Sequence, residues 1–250
     1  MRVIKLGGRA QGDPALPGAL VAAWHSAPGA LVVVHGGGDE VSALQRTLGG
    51  APRFAGGRRV TTDSDLGVVR MVLSGAVNKR LVAQLRAARA VGISGEDGGL
   101  IDATVVNAAL GRVGTPSRVD VALLRQLLAG GFLPVISPLA RDADRADGAA
   151  LNVNGDDAAA AIAAAFPADE LLLLADVPGV YDADRLVSEL DPEGARALVA
   201  RGVATGGMAA KLEAACAAIE RGVRQVRVGD VSAIADRANG TRISLEPVHA

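Results

Sequence analysis

The chain has one cysteine, one tryptophan, one tyrosine and three phenylalanines among 250 residues, almost no net charge and no long apolar run. Cys216 alone cannot close an internal disulfide, and no Cys/His group at ligand spacing points to structural zinc, so a reducing, cytoplasmic setting is predicted. Lys+Arg 26 against Asp+Glu 27 leaves a formal charge of −1, which excludes a polybasic nucleic-acid binder. An aromatic content of 2% excludes a protein that reads bases by stacking. Nowhere do about 18 apolar residues follow one another, and MRVIKLGG lacks the parts of a signal peptide, so neither a membrane span nor export is predicted.

What is abundant is apolar side chains, at 50%, and glycine, at 32 residues. The length is ample for a sizeable core, as one large α/β domain or two small ones. Short β-branched or Leu-rich runs end in glycine or a carboxylate, and alanine-rich stretches of helical period follow them. Strands are predicted at 3–6, 31–34, 133–137, 171–174 and 226–228, and helices at 40–48, 65–73, 77–90, 121–129, 156–166 and 208–221. Several strands are apolar on consecutive residues, which implies that both faces are covered. The expected fold class is α/β, an open and mainly parallel sheet sandwiched between helices. Residues 101–120 read as a hairpin or irregular excursion, 141–148 as an exposed loop, and Asn239, Gly240 and Thr241 as a turn. A soft boundary at Pro167–Glu170 divides a lobe of residues 1–167 from one of 168–250.

Chemistry gathers where strands end. Lys5 is followed by Gly7 and Gly8, and the second strand runs into His35, Gly36, Gly37 and Gly38 before a helix that opens with Asp39 and Glu40. Two glycine turns at neighbouring strand ends would offer a nest of amides to an anion at the carboxyl edge of a parallel sheet. Each turn taken alone reads first as a mere tight turn, and neither matches the P-loop or the dinucleotide fingerprint. Lys5, near the end of a strand expected to be buried, needs an anionic partner. Arg59 offers a fork for a carboxylate, and Asn152 can donate and accept, which together suit an acylated amino acid. Asp156 opens a helix, where its charge also suits the helix dipole. Lys211 sits one turn inside a helix led by Gly206 and Gly207, and a solvated lysine is its plain alternative. Cys216, Trp24, His25, His35 and His249 read as structural or surface groups.

The ordered set KLGG at Lys5, VHGGG at His35, GGRRVT at Arg59, VNKRL at Asn78, GISGEDGG at Gly95, LPVISPL at Pro134, NVNGDDAA at Asn152, LLADVPGVYD at Asp176 and GGMAAKLEAA at Lys211 resembles the amino-acid kinase family nearly end to end. The resemblance implies ATP-dependent phosphorylation of the side-chain carboxylate of N-acetyl-L-glutamate, a step of arginine biosynthesis, with Mg²⁺ arriving as MgATP. It implies that Lys5 and Lys211 stabilise the transferring phosphoryl group and that Asp156 orients them. Gly7 and Gly8 would face the phosphoryl group, and Gly37, Gly38, Arg59 and Asn152 would bind the acylamino acid. Asp176, Val177, Pro178, Gly179, Val180 and Tyr181, with Val203, Ala204 and Thr205, would bind ATP. An arginine-insensitive homodimer is expected on the same grounds, because no helix precedes the first strand, with its interface near Leu66–Leu85. The resemblance assigns no regulatory signalling protein.

Two departures stand out: residues 9–13 do not follow the usual continuation after KLGG, and Ala175 replaces a frequent hydroxyl residue. SGEDGG and Gly155 also resemble the relative that phosphorylates carrier-protein-linked α-aminoadipate in lysine biosynthesis. A ligand-sensing relative would keep the glycine turns and lose a lysine, but both lysines are present here.

Overall fold

The computed structural model describes residues 1–245. An eight-stranded sheet runs in the order Glu189–Leu190, Thr241–Ile243, Val226–Gly229, Glu170–Leu174, Arg2–Leu6, Leu31–His35, Leu133–Ser137, Ala90–Ser94. Every pairing in it is parallel except that of Val226–Gly229 with Thr241–Ile243. The strands at Leu31–His35, Leu133–Ser137 and Glu170–Leu174 are buried at every residue, so both faces are covered, as their unbroken apolar runs require. Against the middle strands packs the helix Gly155–Ala165, and against that helix the helix Gly206–Glu220. Alanine dominates both helices, and its small side chain lets helix approach helix and sheet closely. Asn154 caps the first of them, its Oδ1 accepting from the Asp156 amide at 2.8 Å.

Four further strands, Ile101–Val105, Val113–Val119, Leu139–Asp142 and Ala150–Val153, close on themselves beside the main sheet. Residues 101–120 are therefore the predicted hairpin, with Ile101–Val105 antiparallel to Val113–Val119. Residues 141–148 are only partly the predicted exposed loop. Asp142 is buried in a strand, where Arg112 Nη1 donates to it at 3.0 Å.

Helical boundaries differ from expectation between residues 63 and 94. One helical run starts at Asp63, passes through a π-helical stretch at Met71–Val77 and continues over Asn78–Gln84, where two helices at 65–73 and 77–90 were predicted. The end of the second prediction is corrected by the edge strand Ala90–Ser94, whose Ala and Gly residues carry little strand signal. Asn239 and Gly240 do turn, with Gly240 at a φ of 102°, whereas Thr241 opens a strand instead of belonging to the predicted turn. Among the described residues no helix is long and apolar enough to cross a membrane. His249 lies outside the described residues.

The amino edge of the sheet is locked by charge. Glu170 forms ion pairs with Arg2, at 2.6 Å, and with Arg227, each on an adjacent strand. Arg227 also donates to the carbonyls of Ala233 at 2.8 Å, Asp236 at 3.1 Å and Asn239 at 2.5 Å. Glu170 and Arg227 are almost wholly buried, so removing one leaves the other charged without its main partner. Glu170→Ala is expected to cost about 3–5 kcal/mol. At roughly 2–4 °C per kcal/mol for a chain of this size, calorimetry should record a fall in Tm of roughly 6–20 °C. A fall below about 2 °C would contradict the assignment.

Candidate active site

At the carboxyl edge of the same strands lies a cavity of about 510 Å³. Lys5, next to last in its strand, enters it beside Asp156 from the first turn of the helix Gly155–Ala165 and Lys211 from the second turn of the helix Gly206–Glu220. Lys5 Nζ stands 2.8 Å from Asp156 Oδ1, and Lys211 Nζ stands 3.3 Å from each oxygen of the same carboxylate. All three are nearly buried, at 7%, 5% and 8% exposure for Lys5, Asp156 and Lys211. Burial pushes the Asp156 carboxyl up, but the ammonium groups of Lys5 and Lys211 outweigh it and hold the pKa below the ordinary value. Lys211 is lowered from 10.5 to about 8, first by burial and then by the charge of Lys5, against the pull of Asp156. One carboxylate thus faces two ammonium groups, and the cluster has positive charge to spare.

The rest of the cavity has the same bias. Its lining carries Lys5, Arg9, Arg58, Arg59 and Lys211 against the carboxylates of Asp39 and Asp156. Three helices begin at it, at Gly38, Gly155 and Gly206, and unpaired amides at helix starts favour an anion. Gly7, Gly8, Gly37 and Gly38 all line it. Gly37 has a φ of 153°, and a Cβ there would lie 2.8 Å from Leu73 Cδ2, so the turn requires glycine on two counts. Its neighbour Gly36 donates to the Leu6 carbonyl at 3.1 Å, which ties the two glycine turns together.

Arg59 and Asn152 also reach this cavity. The Arg59 guanidinium donates to Gln45 Oε1, to the Gly38 carbonyl at 2.6 Å and to Ser42 Oγ at 2.7 Å. It stacks 4.8 Å from the ring centre of Phe54. Among the described residues no carboxylate is within ion-pair distance of it, so its direct partners are neutral, while Asp65, to which Gln45 Nε2 donates at 2.6 Å, and Asp39 act on it through space. Asn152 Nδ2 donates to Thr61 Oγ1 at 3.1 Å. Sequence reasoning missed Ser42 and Gln45. Their spacing from Gly38, four and seven residues along one helix, is the signal that would place them on the Gly38 face.

Behind the Gly37 turn stands a neutral imidazole. Asn78 Nδ2 donates to the Val135 carbonyl at 2.9 Å and lies 3.1 Å from His35 Nε2. An amide nitrogen only donates, so Nε2 accepts and the ring proton sits on Nδ1, which donates to the Gly36 carbonyl at 2.9 Å. Burial lowers the His35 pKa to about 4, which agrees with a ring bearing one proton. His35 is thus a structural support of the glycine turn, as predicted. Cys216 is buried, with its Sγ 3.5 Å from the Pro192 carbonyl, and burial pushes the thiol up.

The residues predicted for ATP are not gathered with the others. Asp176 lies near the start of the loop after the strand Glu170–Leu174, pairs with Arg9 at 3.0 Å and lines a neighbouring cavity of about 740 Å³. Val177, Pro178, Gly179, Val180 and Tyr181, and Val203, Ala204 and Thr205, line neither cavity. Val180 donates to Thr241 Oγ1 at 2.8 Å, and Tyr181 starts a small hairpin. Thr205 precedes the Lys211 helix directly.

A family model described as the amino acid kinase family matches residues 1–230. A protein of Methanopyrus kandleri named acetylglutamate kinase is 46% identical over 216 residues, covering 81% of this chain and 87% of its own length. One of the same name from Chloroflexus aurantiacus is 41% identical over 247 residues, covering 97% and 96%. Among solved structures, smu.665 from Streptococcus mutans UA159 superposes with a TM-score of 0.87 at 27% identity, covering 98% of each chain. The paired lysines and glycine turns thus sit in a chain matched along almost its whole length, and this protein belongs to the amino acid kinase family.

Proposed function

We infer that the protein transfers the γ-phosphoryl group of ATP to the side-chain carboxylate of N-acetyl-L-glutamate, giving the acyl phosphate and ADP, in arginine biosynthesis. The observation that carries this reading is the convergence of Lys5 and Lys211, from the two ends of the chain, on one buried carboxylate. The relatives named acetylglutamate kinase support the choice of substrate. The attacking carboxylate is already ionised at neutral pH, so no general base is required. The obstacle is repulsion between that anion and a polyphosphate, and the cavity answers it with cations and amides.

In this reading a carboxylate oxygen attacks the γ-phosphorus while the bond to the bridging oxygen of ADP breaks. Lys5 and Lys211 neutralise the charge that collects on the transferring group, and Asp156 keeps both ammonium groups aimed. Amides at Gly7 and Gly8 meet phosphoryl oxygens. Gly37, Gly38 and Asn152 hold the acylamino acid, and Arg59, which has no carboxylate in direct contact among the described residues, takes its α-carboxylate. Residues 176–181 and 203–205 bind the nucleotide. The lobe of residues 1–167 supplies most of the acylamino-acid site, and that of 168–250 supplies Lys211 and the nucleotide stretches.

Magnesium enters as MgATP, held on the phosphates. Asp156 is fully engaged by the two lysines, and among the described residues no group of three metal-binding side chains is placed to hold an ion. The protein acts as a cytoplasmic homodimer. Among the described residues the edge strand Ala90–Ser94 pairs on one side only, with Leu133–Ser137, and Met71 on the adjoining helical run is 57% exposed.

ATP-dependent hydroxamate formation is expected with N-acetyl-L-glutamate and not with free glutamate or carrier-linked α-aminoadipate; activity on either of the latter alone would overturn the substrate assignment. Lys211→Ala should lower kcat on the order of 10²-fold to 10³-fold in a protein that still folds. The lowered pKa of Lys211 gives a pH dependence with a defined sign. The protonated form is the useful one, so kcat/KM for MgATP should fall as pH rises through about 8. Bound phosphate favours the ammonium, so the corresponding limb in kcat should lie at higher pH, and Lys211→Arg should remove the limb from both profiles. Light scattering should give a dimer for the wild type and a smaller species for Met71→Glu; a wild-type monomer would refute the interface.

A further inference from the structure

We propose that Arg9 is a further phosphate-binding residue, a third cation that leaves Asp176 to grip the phosphate chain of the nucleotide. The assignment deepens the kinase reading and rests on it. Arg9 follows the first glycine turn and is the side chain common to the lysine cavity and the neighbouring cavity that Asp176 lines. Its Nη1 is 3.0 Å from Asp176 Oδ2, and the two side chains are 79% and 47% exposed. Asp176 opens the stretch assigned to the nucleotide. A triphosphate reaching from that stretch to Lys5 and Lys211 passes the position Arg9 occupies.

The energetics favour the exchange. An exposed ion pair contributes little, because water screens both charges and two mobile side chains must be held. A guanidinium fork on phosphate makes parallel charge-assisted hydrogen bonds and is the stronger contact. The backbone under Arg9 is meanwhile fixed. Gly7 lies so close to the adjacent strand that a Cβ would stand 2.5 Å from the Leu174 carbonyl oxygen, and Gln11 donates back to the Gly7 carbonyl at 3.3 Å. Side-chain rotation is therefore the movement that carries the guanidinium from Asp176 into the cavity. The competing account makes Arg9 a strut between the ends of two strands. A strut contributes to melting temperature and is blind to whether a nucleoside carries phosphate.

Calorimetric titration of the wild type, Arg9→Ala and Arg9→Lys with MgATP and with adenosine separates the two accounts. Arg9→Ala is expected to weaken MgATP binding by about 10-fold or more, the loss of a charge-assisted contact. Affinity for adenosine, KM for N-acetyl-L-glutamate and Tm should stay as in the wild type, and Arg9→Lys should recover part of the loss. Unchanged MgATP affinity in Arg9→Ala, or an equal loss for MgATP and adenosine, overturns the assignment while leaving the kinase reading in place. A wild-type protein that binds no MgATP overturns both.

Discussion

Two ammonium groups share one buried carboxylate, and the architecture around the cavity follows from what that arrangement needs. Lys5 and Lys211 are like charges side by side, burial and the charge of Lys5 lower the Lys211 pKa, and Asp156 is the counter-charge both share. Asp156 in turn is pushed up by burial, and the lysines outweigh that and hold it below the ordinary value. The three groups hold one another ionised, and each comes from a different element. A strand and two helices must therefore pack within a few ångströms of one point, and alanine on the helices Gly155–Ala165 and Gly206–Glu220 makes that approach possible. The composition that makes these helices look featureless in sequence is the one the site demands.

The two edges of the main sheet solve the problem of buried charge in opposite ways. At the amino edge Glu170 lies between two guanidinium groups, and carbonyl oxygens take up further donors of Arg2 and Arg227, so the charges are enclosed by protein. At the carboxyl edge one carboxylate again faces two cations, but the surroundings are helix starts and glycine amides, which add positive potential. The first cluster is complete and holds strands together. The second has one carboxylate for two cations, and in the proposed reading a phosphoryl group completes it. A similar ionic triad is structural or catalytic according to whether its neighbours accept or donate.

Much of this was legible in the sequence, for reasons that differ from residue to residue. The five central strands announce themselves because strands covered on both faces read as near-continuous apolar runs, Lys5 and Arg227 being charged exceptions. Lys5 was conspicuous because a cation beside such a run needs an anion. Lys211 and Asp156 were not separable from ordinary helix residues by local pattern, and only the order of motifs along the chain raised them. The edge strand Ala90–Ser94 was hidden because a strand with one neighbour needs little β-branched sequence and here follows a run of helix formers. The π-helical stretch at Met71–Val77 left no periodic mark, since one extra residue per turn shifts the pattern without erasing it. Ser42 and Gln45 were missed because their role is to hold another side chain, and such partnerships depend on where the Arg59 hairpin folds.

Arg59 shows how a binding site differs from a stabilising contact. Three neutral acceptors fix the guanidinium in place and satisfy donors without cancelling its charge. A carboxylate in the protein would have stabilised the fold more and left nothing for a ligand. Neutral acceptors orient the fork while the positive charge stays available, and Phe54 covers one face of it from water. The lysine cluster uses the same device in ionic form, with one carboxylate too few for its cations. In the proposed reading, recognition of a doubly anionic acylamino acid would draw on two separate groups of cations in one cavity, Arg59 for the end that is held and Lys5 with Lys211 for the end that reacts.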